Sequence, residues 1–240
     1  MSSADSFYAL RPGYAPRIGE ATEAPDRERG AVLTVSDLGH LVVTSGRMVV
    51  CDSASLGTGP VGPQSGRHGS GLIPVFDPIP LGRHPVRLTS ADRSSSPAPV
   101  HAYLSVVFSE EPTASIEPWI AVGGESVRGE PADNFVSVDS GIIGLLDAAA
   151  APRAPVRFND AWPHNIPCGN LAPPFADGDA SLVFCRCSVG AFPVIATRDA
   201  AGNVTGLHID FAIVGPSNRK QWWKSRHTHA HTGSRPMPSS

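Results

Sequence analysis

Residues 182–214, LVFCRCSVGAFPVIATRDAAGNVTGLHIDFAIV, constrain the fold more than any other part of the chain. Apolar, β-branched runs at 182–187, 194–197 and 204–214 are separated by a Gly190 to Pro193 break and by a polar DAAGN turn, the pattern of a three-stranded β-meander. Gly and Pro contribute 24 residues each, which favours many short elements joined by turns over long helices. With 240 residues the chain is long enough to bury a core without disulfide or metal staples, as one large all-β domain or two smaller ones.

Upstream of the meander, residues 1–30 show neither helical nor strand periodicity and predict an arm packed loosely on the domain or partly disordered. AVLTV from Ala31, a turn at SDLGH and then LVVTSGRMVVCD predict a strand pair, or one long strand with a bulge at Ser45-Gly46, ending at Cys51-Asp52. Residues 53–73 are rich in Gly, Ser and Pro and read as a long flexible insertion. Gly82-Arg83-His84-Pro85-Val86 and Gly190-Ala191-Phe192-Pro193-Val194 share one form. In each, Gly suits a positive φ at a corner and Pro suits the first residue of the following strand, a weak internal duplication.

After a Ser/Pro linker at 94–99, residues 101–109 and 134–139 read as strands, EEPTASIEP as a turn and WIAVGGESV as a further strand. SGIIGLLDAAAAP is the one stretch of the body that reads as a short helix or helical turn, and residues 152–181 form a second long irregular region. Roughly nine to twelve short strands with little helix predict an all-β sandwich or partly closed barrel over residues 31–216, built from two strand-rich halves.

A net charge of −3 gives no strong signal for nucleic acid, and no window is apolar for long enough to span a bilayer. Residues 217–240 hold Arg219, Lys220, Lys224, Arg226 and Arg235 with no acid, leaving 14 basic against 22 acidic residues before them. Trp222-Trp223 and the following H-T-H-A-H fit contact with RNA or an acidic lipid surface, or capture of a transition metal. The plainer and preferred reading is a disordered terminus whose two Trp dock back onto the domain. Four cysteines and an N-terminus without a signal-peptide run predict a cytoplasmic chain with reduced thiols.

The order of several short motifs resembles a bacterial family known only as domain-of-unknown-function family 4241. These are Ser45-Gly46-Arg47 with Cys51-Asp52, the Gly82 to Val86 segment, FSEEP leading to Trp119, Val138-Asp139-Ser140-Gly141 with Asp147, the Gly190 to Val194 segment and Asp210-Phe211. Together they cover about residues 32–214. The resemblance implies an all-β fold and brings no reaction with it. Where the family pattern carries a Gly-Asp-Gly turn before the second Gly-Pro segment, this chain has Ser188-Val189-Gly190, so an acid at that turn is missing.

Asp52, Asp139 and Asp210 each stand near the end of an apolar strand run. Gathered on one rim they could act as a general acid and base pair, with Arg47 binding an anion. The competing reading makes them turn caps, or ion-pair partners of Arg47 or Arg83. Cys185 and Cys187 lie two apart on a strand and Cys168 could approach them, so that with His164 or His208 they would have the donors of a zinc site. C-x-C within a strand lacks the turn of a C-x-x-C knuckle, however, and free Cys is commonly buried, so neither a metal nor a cofactor is expected. Asp177-Gly178-Asp179 lacks the remaining ligands of a calcium loop, and Ser45, Ser140 and Ser188 lie in no G-x-S-x-G elbow.

Two functions follow as expectations. The first is a non-catalytic intracellular binding module whose rim loops at 53–73 and 152–181 hold a partner protein or small molecule. The alternative is an enzyme, a hydrolase, lyase or isomerase, using Asp52, Asp139, Asp210 and Arg47 between the two halves.

Overall fold

A computed structural model of the chain describes residues 7–15, 30–56, 73–92, 98–119, 121–122, 135–153, 168–171 and 182–214. Among these it contains thirteen strands, all paired antiparallel, and no α-helix. One sheet runs in the order β1 (Gly13–Ala15), β2 (Ala31–Val43), β5 (Gly82–Asp92), β6 (Val100–Val107), β13 (Val204–Asp210), β12 (Gly190–Arg198), β7 (Ser115–Pro118), and β8 (Phe135–Val138) also pairs with β12. The other runs β10 (Cys168–Leu171), β11 (Leu182–Arg186), β9 (Ile142–Asp147), β3 (Met48–Asp52), β4 (Val75–Phe76). Two open sheets and no closed barrel make this an all-β sandwich, the expected class.

The two sheets share a core that includes Leu41, Val86 and Leu104 of the first and Met48, Ile143 and Leu145 of the second. At one end a chain of edge-to-face rings, Phe76 to Trp119 to Phe108 to His84, carries the packing from β4 to β5, with centroids 6.4, 6.3 and 5.0 Å apart. The far face of the second sheet buries another cluster around Val49, Cys51, Leu56, Leu146 and Phe184. β3 and β9 are therefore covered on both sides, which is why MVVC and IIGLL read as continuous apolar runs without alternation.

That double burial corrects the one helical expectation. IIGLLD forms β9, the central strand of the second sheet, because an apolar run covered on both faces carries no period to distinguish strand from helix. Only a turn at 148–150 and the short 3-10 turn Ala151–Arg153 follow it. Turn and bulge are also exchanged in the opening strands. SDLGH is a bulge inside the single long strand β2, with Gly39 at φ 96°, and Ser45-Gly46 is the turn that carries the chain between sheets. The Gly-Pro segments begin β5 and β12 and do not break them, with Pro85 opposite the bulge of β2 and Pro193 paired with Phe135.

SIEP, expected as part of a turn, is the edge strand β7, and β10 lies inside the region expected to be irregular. Of the strand expected in WIAVGGESV, the described residues 119 and 121–122 are not extended into a sheet. The N-terminal arm is integral where it is described: Phe7, Ala9 and Ala15 are buried in the shared core. Among the described residues no helix is long and apolar enough to cross a membrane. The tail at 217–240, His164 and Asp177 to Asp179 lie outside the described residues.

On one face of the first sheet His208 is 1% exposed. Its Nδ1 meets Ser105 Oγ at 2.9 Å and its Nε2 meets Thr197 Oγ1 at 3.0 Å, while Thr205 donates to Thr197 at 2.8 Å. The edge of Phe7 closes the site, with centroids 5.0 Å apart. Residue 206 must be glycine to admit the ring, since a Cβ there would stand 2.7 Å from His208 Nε2. Burial lowers the imidazole from 6.5 to about 3. The unfolded chain takes up this proton below about 6.5 and the folded chain only near 3, so stability rises with pH across that window and is lost on acidification through it. Thermal midpoints measured from pH 7 to 4 should therefore fall more steeply for the native chain than for His208→Gln, and parallel curves would contradict this account.

Candidate functional site

Four cross-strand partners form one row on the second sheet. Asp52 of β3 stands opposite Ile143 of β9, Ile143 opposite Cys185 of β11, and Cys185 opposite Cys168 of β10. Directly opposed residues share a face, so this register puts Asp52 and both cysteines on one side of the sheet. At the end of the row Cys168 Sγ and Cys185 Sγ are hydrogen-bonded at 2.7 Å.

The third member comes from the other sheet. Tyr103 opposes Thr89 while His101 opposes Ser90, so the two residues of β6 between which Ala102 lies face opposite ways. Regular alternation would have placed them on one face; the bulge turns His101 over. Its Nδ1 meets Ser90 Oγ at 3.2 Å and its Nε2 meets Cys168 Sγ at 3.4 Å. One donor atom from each of His101, Cys168 and Cys185 lies within 4.8 Å of the others, a set that could hold a metal ion. His101 and Cys168 are half-buried and Cys185 is fully buried.

The electrostatics separate the thiols. The hydrogen bond with Cys185 holds Cys168 down to about 6; burial works against it, and a hydrogen bond and charge from His101 lower it further. Burial raises Cys185, and its hydrogen bond to Cys168 and the charge there raise it further. Cys187, beside this group, is pushed up to about 12 by burial and then by the charges of Asp52 and Cys168. Cys51, on the opposite face of β3, is raised by burial and by Asp52.

The acids expected to share a rim are divided. Asp52 accepts from the backbone N–H groups of Asp139 at 2.6 Å and Ser140 at 2.8 Å, from the Ser140 hydroxyl and from Ala54 N–H at 2.8 Å. Burial alone would raise this carboxyl, but the hydrogen bonds from Ser140, Ala54 and Asp139 outweigh it and lower it. Asp139 thus meets Asp52 through its backbone, with its own side chain exposed. Asp210 pairs with Tyr103 and lies on the face of His208, away from His101, where it accepts from Ala212 N–H at 2.9 Å. Arg47 precedes β3 and Asp52 ends it, five residues apart or about 16 Å along a strand. Arg47 pairs with Asp77 at 3.3 Å.

Sequence reasoning weighed Cys168 and Cys185 as ligands but looked to His164 or His208 for the nitrogen. His208 is on the wrong face, and His101 was missed because strand alternation assigns it to the face of Tyr103. The argument from C-x-C geometry addressed Cys185 and Cys187 along one strand, whereas the close sulfur pair spans two. Comparison with protein-family models, curated proteins and solved structures found no match, so the resemblance to family 4241 rests on its sequence motifs.

Asp52 ties the start of β9 to the end of β3, and its loss should act on the fold. Asp52→Asn keeps the shape but replaces a charged acceptor with a neutral one, for an expected destabilisation of about 1–3 kcal/mol in denaturant unfolding. An unchanged unfolding midpoint would show that these hydrogen bonds do not hold the turn.

Proposed function

We propose that this chain is a non-catalytic binding module of the bacterial cytoplasm, a member of the family it resembles, whose ligand is a thiophilic divalent cation of the zinc class. The observation that carries this reading is the convergence of His101, Cys168 and Cys185 from the two sheets, with all three donor atoms inside 4.8 Å. Imidazole and thiolate are the donors such ions prefer. Ser90 on the far nitrogen of His101 fixes the ring so that Nε2 faces the sulfurs, the supporting role that a second partner of a metal-bound histidine plays.

A tetrahedral ion held by three protein ligands keeps one position for water or for a group from a partner. Zinc–sulfur bonds of about 2.3 Å put two ligating sulfurs roughly 3.8 Å apart, so binding spreads the Cys168–Cys185 pair by about 1 Å. Cys168 lies on the edge strand β10, with only β11 beside it among the described strands, and this gives it room to adjust.

Full-length protein purified under reductant should bind one equivalent of zinc by elemental analysis, and its cobalt form should show thiolate-to-metal charge-transfer absorption. Cys168→Ser and His101→Ala should each weaken binding by at least about tenfold. Absence of stoichiometric metal, or a cobalt spectrum without sulfur bands, would overturn the reading.

A further inference from the structure

We infer that Cys168 and Cys185 form a two-electron redox couple that exchanges with low-molecular-weight disulfides. The inference stands on the sulfur pair itself; it meets the proposed metal reading only in that a disulfide and a bound ion cannot occupy these sulfurs together.

Three features of the fold carry it. First, the two cysteines are direct cross-strand partners, and antiparallel neighbours place such Cα atoms about 4.5–5.5 Å apart, inside the window of about 4.4–6.8 Å that a disulfide spans. Their sulfurs already lie 2.7 Å apart, so the backbone has nowhere to travel. Second, the partners differ in access. Among the described residues Cys168 is half-buried on the edge strand and Cys185 is fully buried, with its sulfur 2.7 Å from that of Cys168. Third, His101 Nε2 stands 3.4 Å from Cys168 Sγ, with Ser90 on its other nitrogen, an oriented base beside the sulfur that would attack.

The step balances without a cofactor. Cys168 gives its proton to His101 and its sulfur attacks one sulfur of the small disulfide, forming a mixed disulfide and releasing one small thiolate, which is protonated from His101. Cys185 then attacks the Cys168 sulfur, the mixed bond breaks, and the second small thiolate leaves with the proton that Cys185 gives up. Two protein thiols become one disulfide, and the two electrons and two protons leave on two molecules of small thiol. A reducing pool runs the sequence backwards.

The test uses the full chain, freed of metal by chelation, in buffers of oxidised and reduced glutathione, with alkylation and peptide mapping. Two thiols should disappear and return on reduction, with the peptides of Cys168 and Cys185 linked and Cys51 and Cys187 still alkylated. Cys185→Ser should accumulate glutathione on Cys168, and Cys168→Ser should give neither product. A chain with an intact thermal transition that keeps both thiols under excess oxidised glutathione overturns the inference, as does a link through Cys187. In a parallel arm, zinc-loaded protein should form the link at least about tenfold more slowly than the chelated chain. Equal rates would remove the ion from these sulfurs and overturn the metal reading, while the linkage in the chelated chain is decided separately.

Discussion

Because side chains alternate across a strand, a slip of one residue exchanges everything on its two faces, and this fold uses that rule in both directions. In the second sheet an uninterrupted register from β3 through β9 and β11 to β10 lines up Asp52, Ile143, Cys185 and Cys168. In the first sheet the interruption between β5 and β6, the extra Ala102, turns His101 away from the face of Tyr103 and towards the sulfurs. Delete either feature and the three donors no longer meet. The site is thus a property of pairing between strands far apart in sequence, and no local motif encodes it.

Polar groups buried elsewhere show the same economy. Asp147, 2% exposed at the end of β9, accepts from Thr44 and Ser45 N–H at 2.6 and 2.8 Å and from Ala149 N–H at 2.8 Å. It fastens the turn between β2 and β3 to the strand beside it. Asp52 does this at the opposite end of β3, gathering the Asp139 to Ser140 turn. Each acid satisfies backbone donors that no ladder serves, where an unpaired buried donor would cost about 1–3 kcal/mol. Accepting from these turns is a structural role, and it explains acids at strand ends without assigning them to chemistry.

The strand-rich class was legible because Gly, Pro and β-branched runs act locally. The MVVCD strand and the three strands within 182–214 were legible for that reason as well, but not their pairing: β12 and β13 form a hairpin in the first sheet while β11 pairs with β9 and β10 in the second, so the expected three-stranded meander does not form. Legibility failed where tertiary burial removed the period, as in β9, whose two covered faces make IIGLL look helical. It failed again where a bulge changed parity, as at Ala102 and at Asp37 to His40, since one inserted residue leaves no compositional mark. Asp210 shows the limit of reading strand ends. It terminates an apolar run as Asp52 does, yet the alternation of β13 points it to the face of His208. Proximity along an edge does not reveal which face a carboxylate serves.

The central claim is that two sheets deliver one nitrogen and two sulfurs to a single point. Anomalous diffraction at the zinc edge from crystals of the full chain grown with zinc tests it most directly. The account predicts one strong peak within bonding distance of His101 Nε2, Cys168 Sγ and Cys185 Sγ, about 2.0–2.3 Å from each. A map with no peak there, or with its strongest peak on the histidines of residues 227–231, would contradict it.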